Sequence, residues 1–305
     1  MPFRGRFSDQ MRAQSLRHFD LRYHVDHIQV HDGGVSANIA YSMAMLGGQP
    51  TLFSTVGEDF APYRARLEAL GVNCSAVVVD EKHQTARFFA STDDNNSQLG
   101  FFYAGAMSKA ADIAIVDVIR TPPDLVVISP NAPAAMARQI AECHAQDWRY
   151  IFDPSQQVAR LDATVLREGI AGAYALACND YEWTIIQKQT GYTQSDLADM
   201  GVIFIHTLGA DGALIQTADE TLHIPAYPPH HIANPTGAGD AFRGGLLRGL
   251  SLSLPWYISG RLGALCGTYA LEHVGTQEHQ VSPEVFVARL LAIDPTAQAA
   301  RALLA

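Results

Sequence analysis

The chain has 305 residues, 48% of them hydrophobic, 24 glycines and a formal net charge of −10 at neutral pH. That suits a globular protein with a sizeable core, and the shortage of Lys and Arg excludes non-specific nucleic-acid binding, which depends on displacing phosphate counterions. No apolar run reaches the roughly 18 residues of a membrane span, and no apolar segment follows the N-terminal arginines as in a signal peptide, so the chain reads as cytoplasmic and without a membrane partner.

Taken in order, "HVDHIQV" (24–30) reads as extended chain. "GGVSANIAYSMAMLGG" (33–48) reads as a two-glycine joint followed by a helix with Ile39, Met43 and Leu46 on one face. "TARFFASTDDNNSQLGFFYAGAM" (85–107) has a polar turn at 93–97 between aromatic-rich arms, a hairpin signature that suits a lid. Apolar strands are predicted at 124–130, 150–154, 173–179 and 202–209, with helices at 132–146 and 162–170 between them. This alternation predicts a mainly parallel sheet covered on both faces. Helices are predicted over 238–250, 255–273 and 283–292, and the residues from Ala297 on are read as an oligomer contact or a frayed tail. No repeat or linker divides the chain, which predicts a single domain over 1–305 with lid segments at about 20–32 and 84–107. Cys74, Cys143, Cys178 and Cys266 lie far apart without a C-x-x-C pair and read as reduced thiols.

Four stretches carry candidate chemistry. In "NPTGAGDAF" (234–242), Gly237, Ala238 and Gly239 let backbone N–H groups approach an anion at a helix start. Asp240 then stands beside that anion, where a carboxylate acts as a proton acceptor or merely favours the helix dipole. Proton acceptance next to a polyphosphate implies phosphoryl transfer. "NDYE" (179–182) places Asn179 and Glu182 on one face, either to hold water on magnesium or to form a capping box. "TLGADGA" (207–213) offers Thr207, Gly209 and Gly212 to a phosphate, or is a plain turn between strands. In the fourth stretch, Asn38 is a candidate for a substrate hydroxyl or for local capping.

In this order the four stretches resemble the ribokinase family, the PfkB carbohydrate and nucleoside kinases, from about Gly33 to Gly275; "TVGEDF" (55–60) adds to the likeness. The resemblance implies a three-layer α/β/α ribokinase-like core, a small β-sheet lid, and transfer of phosphate from ATP, with Mg²⁺, to a hydroxymethyl group. Asp240 matches the family's base, and Gly237, Ala238 and Gly239 its anion hole. Thr207, Gly209 and Gly212 match the ATP phosphate loop, and Asn179 and Glu182 the magnesium and phosphate element. Gly33 and Gly34 match the lid hinge, and Asn38 a substrate contact. The adenine pocket is expected between the 227–234 loop and the 264–275 region. The lid stretch resembles that of the adenosine kinase-like branch, with Phe101 and Phe102 as candidates for stacking on a base and the lid as a candidate homodimer contact. A nucleoside therefore leads as substrate; a free sugar such as ribose or fructose, or a binding protein without turnover, is the alternative.

Two departures stand out. The family opens with an apolar strand ending near a substrate-gripping aspartate, and residues 1–20 contain no such run, which predicts an open edge or slot in the sheet. Asn234 stands where the family has aspartate; with Thr236 it belongs to the family's potassium site, and the lost charge counts against a monovalent cation.

Overall fold

The computed structural model describes Val25 and residues 27–92 and 98–305. The predicted strand start at His24, the turn at 93–97 and the N-terminal segment with Asp9 and Asp20 lie outside the described residues. Short apolar runs bounded by Pro, Gly or Asn form the strands. β1 (Ser54–Gly57) pairs in parallel with β2 (Val77–Asp80), and β3 (Arg87–Thr92) pairs antiparallel with β4 (Gln98–Tyr103). β5 (Val126–Ile128), β6 (Tyr150–Phe152), β7 (Ala175–Asn179), β8 (Ile203–Thr207), β9 (Ala213–Gln216) and β10 (Thr221–Ile224) form, among the described residues, a six-stranded sheet in the order β10-β9-β8-β7-β6-β5. β5 to β8 are parallel, and β9 is antiparallel to both its neighbours.

The principal helices are α1 (Val35–Met45), α2 (Ala61–Leu70), α3 (Pro133–Ala145), α4 (Ala163–Ala171), α5 (Asp180–Thr190), α6 (Ala238–Ser251), α7 (Trp256–Leu271) and α8 (Pro283–Ile293). Strand side chains alternate between faces, so neighbouring residues enter different layers. Phe152, Leu176 and Phe204 pack with Met136 and Ile140 of α3, Leu166 of α4 and Ile186 of α5. Ile151, Ala177 and Ile205 pack with Ile39 of α1 and Phe242 and Leu246 of α6 on the opposite face. The predicted three-layer α/β/α arrangement follows directly, each fully buried Leu, Ile or Phe contributing about 1.5–3 kcal/mol.

α6 is wedged between α1 and α7 because its contact face has no side chains where backbones meet. A Cβ on Gly244 would stand 2.5 Å from Ser42 Cβ and 2.7 Å from the Ile39 carbonyl oxygen, and one on Gly245 would stand 2.6 Å from the Leu262 carbonyl oxygen. The glycine pair after Arg243 thus sets the depth of the helix that carries Asp240.

Two expectations change. Residues 27–34 form no strand; Ile28 and Val30 are exposed, so their alternation has no face to bury. The C-terminal tail is not frayed: Gln298–Leu304 forms a 3₁₀ helix, and Ala297, Ala300 and Leu303 are buried in the cluster that contains Phe286 and Leu290 of α8. Among the described residues, the outer side of β5 pairs with no strand, while β1 and β2 make a sheet of their own. No described helix is long and apolar enough to cross a membrane.

Candidate active site

Side chains close some helix starts in the molecule, though not those of α1, α2, α3 or α7. Asp162 caps α4, accepting from the N–H groups of Thr164 and Val165, and Ser282 accepts from Val285 at the start of α8. The start of α6 has no side-chain cap. Gly237, its N-cap residue, has φ 86° and turns the chain into the helix, a conformation that strains any L side chain. A Cβ there would also stand 2.8 Å from Thr276 Cγ2. Among the described residues, the N–H groups of Gly239 and Asp240 meet no backbone carbonyl, and that of Ala238 makes only a 3.4 Å contact with Pro235. The result is an uncapped nest of donors at a positive dipole end, suited to an anion.

Asp240 is half-buried beside this nest. Asn38 of α1 donates from Nδ2 to Asp240 Oδ2 at 2.8 Å. Asn38 Oδ1 accepts from Gln277 Nε2 at 2.8 Å and lies 2.9 Å from the Thr276 hydroxyl. Gln277 also donates to the Tyr63 hydroxyl, and Arg66 Nη2 donates to its Oε1 at 2.6 Å. Tyr63 in turn donates to the Gly33 carbonyl at 3.2 Å. One hydrogen-bonded chain therefore runs from the predicted hinge to Asp240. The second N–H of Asn38 Nδ2 makes no hydrogen bond among the described residues. Thr276 and Gln277 escaped sequence reasoning because nothing local marks them; they acquire a role only by contact with α1.

Burial raises the Asp240 carboxyl above its usual range, against the pull of Arg243 and the Asn38 hydrogen bond, and Glu182 raises it further. A carboxylate tuned upward in this way, next to an uncapped nest of N–H donors, can take a proton from a hydroxyl.

Asn179 and Glu182 lie at the β7–α5 junction and form the capping box that their spacing allowed. The Asn179 N–H donates to Glu182 Oε2 and the Glu182 N–H donates to Asn179 Oδ1, each at 2.9 Å. Glu182 Oε1 keeps only a long 3.4 Å contact from Ser155. Thr207 ends β8 next to Asn179, its registered partner on β7. Gly209 has φ 60° and faces open space. Gly212 is explained by packing instead: a Cβ there would stand 2.1 Å from the Ile224 carbonyl oxygen. Asn234 Oδ1 accepts from the Thr236 N–H at 2.8 Å, so it closes a turn just before the nest. The 227–234 loop is tied to the end of α7 by Ala233 donating to the Leu271 carbonyl at 2.8 Å and His230 donating to Glu272 at 2.7 Å.

The aromatic hairpin stands off the core. Phe88 opposes Phe102 and Phe89 opposes Phe101 across the strands. Phe101 and Phe102 are 71% and 54% exposed, so neither packs on the core, and as consecutive strand residues they point to opposite faces. A base lying against one face of the hairpin would therefore meet one of the two. The hairpin is anchored by Asp59 of the "TVGEDF" stretch. Asp59 Oδ1 accepts from the Thr85 N–H and hydroxyl at 2.8 Å each, and Oδ2 accepts from Arg87 Nη2 at 2.6 Å. Burial opposes ionisation of Asp59, but these donors outweigh it and hold its carboxyl below the usual range. Asp59→Asn is expected to speed hydrogen exchange several-fold in β3 and β4 while leaving β6 to β8 unchanged; mass-resolved exchange checks this, and uniform exchange across both regions would refute the anchor.

A half-buried carboxylate beside an uncapped nest of N–H donors at a helix start suits a phosphotransferase acting on an alcohol as the class of protein. The chain belongs to the family of pfkB carbohydrate kinases, whose model matches residues 8–283, and it is a kinase. It is 27% identical over 264 residues to a nucleoside kinase of Methanocaldococcus jannaschii, a match that covers 85% of each chain. Among solved structures it is similar to the Burkholderia thailandensis nucleoside kinase in complex with inosine, at TM-score 0.85 and 32% identity, covering 97% of this chain and 94% of that one. The ADP-inosine complex of the same enzyme matches at TM-score 0.83 and 31% identity, covering 97% and 92%.

Proposed function

We propose that the chain is an ATP-dependent nucleoside kinase of the cytoplasm that phosphorylates the hydroxymethyl group of its substrate, working as a single domain with residues 84–107 as lid. The observation that carries this reading is the placement of Asp240: it sits at the mouth of an uncapped anion nest and is held there by Asn38. The similarity to nucleoside kinases over nearly the whole chain supports the substrate class. The exposed lid aromatics favour a nucleoside over a free sugar, since stacking on a base is worth about 1–3 kcal/mol in single-strand binders.

In the proposed reaction the substrate hydroxyl oxygen attacks the γ-phosphorus and the bond to the β–γ bridging oxygen breaks. The hydroxyl proton passes to Asp240, and ADP departs with the bridging oxygen. Gly237, Ala238 and Gly239 hold the transferred group through backbone N–H donors. Thr207 and Gly209 face the ATP phosphates, with Gly212 shaping their turn. Gly33 and Gly34 act as the hinge, Asn38 uses its remaining N–H for a substrate hydroxyl, and Phe101 or Phe102 covers the base. The other hairpin face is then left for a second copy in a homodimer.

Magnesium fits as an ion held largely by phosphate and water. Glu182 Oε1 has lone pairs to spare, whereas Asn179 Oδ1 is committed to the cap, and no cluster of three His, Cys, Asp or Glu side chains occurs among the described residues. When bound, the ion neutralises phosphate charge. Asn234 has one carbonyl oxygen already engaged by Thr236, which argues against a tight potassium site.

The reading is tested by measuring ADP release with inosine, adenosine, other nucleosides, ribose and fructose. The highest kcat/KM is expected with a nucleoside. A preference for a free sugar would reassign the substrate, and ATP or nucleoside binding without turnover would make the chain a binding protein.

A further inference from the structure

Three carboxylates crowd the floor of the site, and one cation answers them. Asp153 follows β6, Glu182 lies on α5, and Asp240 and Arg243 lie on α6. Arg243 is 7% exposed and Asp153 0%. Arg243 Nη2 donates to Asp153 Oδ1 at 2.8 Å. Nε stands 2.7 Å from Oδ2, a charge contact off the hydrogen-bond direction. Nη1 is the corner left over. It makes no hydrogen bond among the described residues, and a Cβ on Gly239 would stand 3.0 Å from it. The guanidinium therefore reaches from the interior to the underside of the Gly237–Gly239 loop. Arg243 follows Asp240 by one helical turn, which keeps the two on one face.

Burying such a pair is a poor way to gain stability, because desolvation offsets the attraction and apolar side chains of similar size do as well or better. The charge inventory points to another use. Burial pushes Asp153 up to about 7 despite Arg243, with Glu182 and Asp240 adding to the rise. Burial disfavours the Arg243 charge, but Asp153, Asp240 and Glu182 outweigh it. Cys178 beneath them is held as a neutral thiol by burial, with Glu182 adding to the effect. The site is short of positive charge before any anion enters.

We infer that Arg243 is a positioning residue for phosphoryl transfer: clamped by Asp153, its guanidinium backs the Gly237–Gly239 loop and supplies the fixed positive charge that lets the phosphoryl group and the Asp240 carboxylate share the site. The inference rests on the kinase reading given above. It also explains why Gly239 is free of a side chain: any Cβ would crowd Nη1.

The central test is the double variant Arg243→Met with Asp153→Leu, which replaces the pair by apolar side chains, an exchange that is often neutral or stabilising. Its kcat is expected to fall about 10²-fold, as on loss of one preorganised donor, with KM for the nucleoside little changed. Arg243→Lys, which keeps the charge without the fork, is expected to recover much of that loss. Calorimetric titration with ADP adds a readout independent of turnover: affinity weakens in the double variant. In Asp153→Asn, where an opposing charge is removed and the guanidinium stays, affinity tightens. An active wild type matched by the double variant in both kcat and ADP affinity would overturn the inference. If the double variant does not fold, unchanged or weaker ADP binding by Asp153→Asn overturns it instead. A wild type inactive with every acceptor overturns the kinase reading, while the ADP titrations still decide the role of Arg243.

Discussion

Asp240→Asn is expected to lower kcat by about 10²- to 10⁴-fold, the usual contribution of a positioned general base. KM for the acceptor should change little, because asparagine keeps the shape of the side chain and an oxygen for Asn38 to donate to. The same residue sets the pH dependence. Burial raises its carboxyl, Arg243 and Asn38 pull it back, and Glu182 raises it again, with a net upward shift. A base works only when ionised, so kcat/KM should be full above the raised pKa and fall as pH drops through it. The acid limb is therefore expected above the value of about 4 for a free carboxylate. A pH–rate profile for wild type and a single-turnover rate for Asp240→Asn check both points. An Asp240→Asn enzyme with wild-type kcat would remove Asp240 from the chemistry.

Gly245→Val is expected to be strongly destabilising. Even a Cβ at this position meets the Leu262 carbonyl oxygen at 2.6 Å, and the contact is backbone on both sides, so neither helix can yield by rotating a side chain. Overpacking of this kind costs about 1–3 kcal/mol, and the two methyl groups of valine place it at the upper end. Denaturant unfolding measures the loss directly. Because α6 carries Asp240 and the nest, the folded fraction should also show a lower kcat, whereas Gly191→Ala, at a helix end with open space around it, should leave kcat unaltered.

How much was legible beforehand depended on how local each feature is. The strands at 150–152, 175–179 and 203–207 were readable because a sheet covered on both faces needs near-continuous apolar runs. Of the strand expected at 24–30, Val25 makes a β-bridge and residues 27–30 form no strand, because alternation alone does not supply a partner. The capping box at Asn179 and Glu182 was readable from spacing, as was the choice it left open, and the structure shows the cap formed with one carboxylate oxygen to spare. That Phe101 and Phe102 point to opposite faces was readable from the strand period, whereas their cross-strand partners Phe89 and Phe88 came only with the register.

The sequence by itself determined the local chemistry: a glycine turn into a helix with an aspartate in its first turn, four ordered stretches, and the strand–helix alternation of the core. Backbone conformation and short-range spacing suffice for these, since glycine tolerance and helix or strand period act over a few residues. Only the tertiary structure decided what surrounds Asp240. Asn38 reaches it across 202 residues, Gln277 reaches Asn38 across 239, and Asp153 reaches Arg243 across 90. Nothing in the spacing of such residues marks them as partners. Their hydrogen bonds and charges become strong where packing of α1, α6 and the sheet excludes water, and that exclusion exists only in the folded chain.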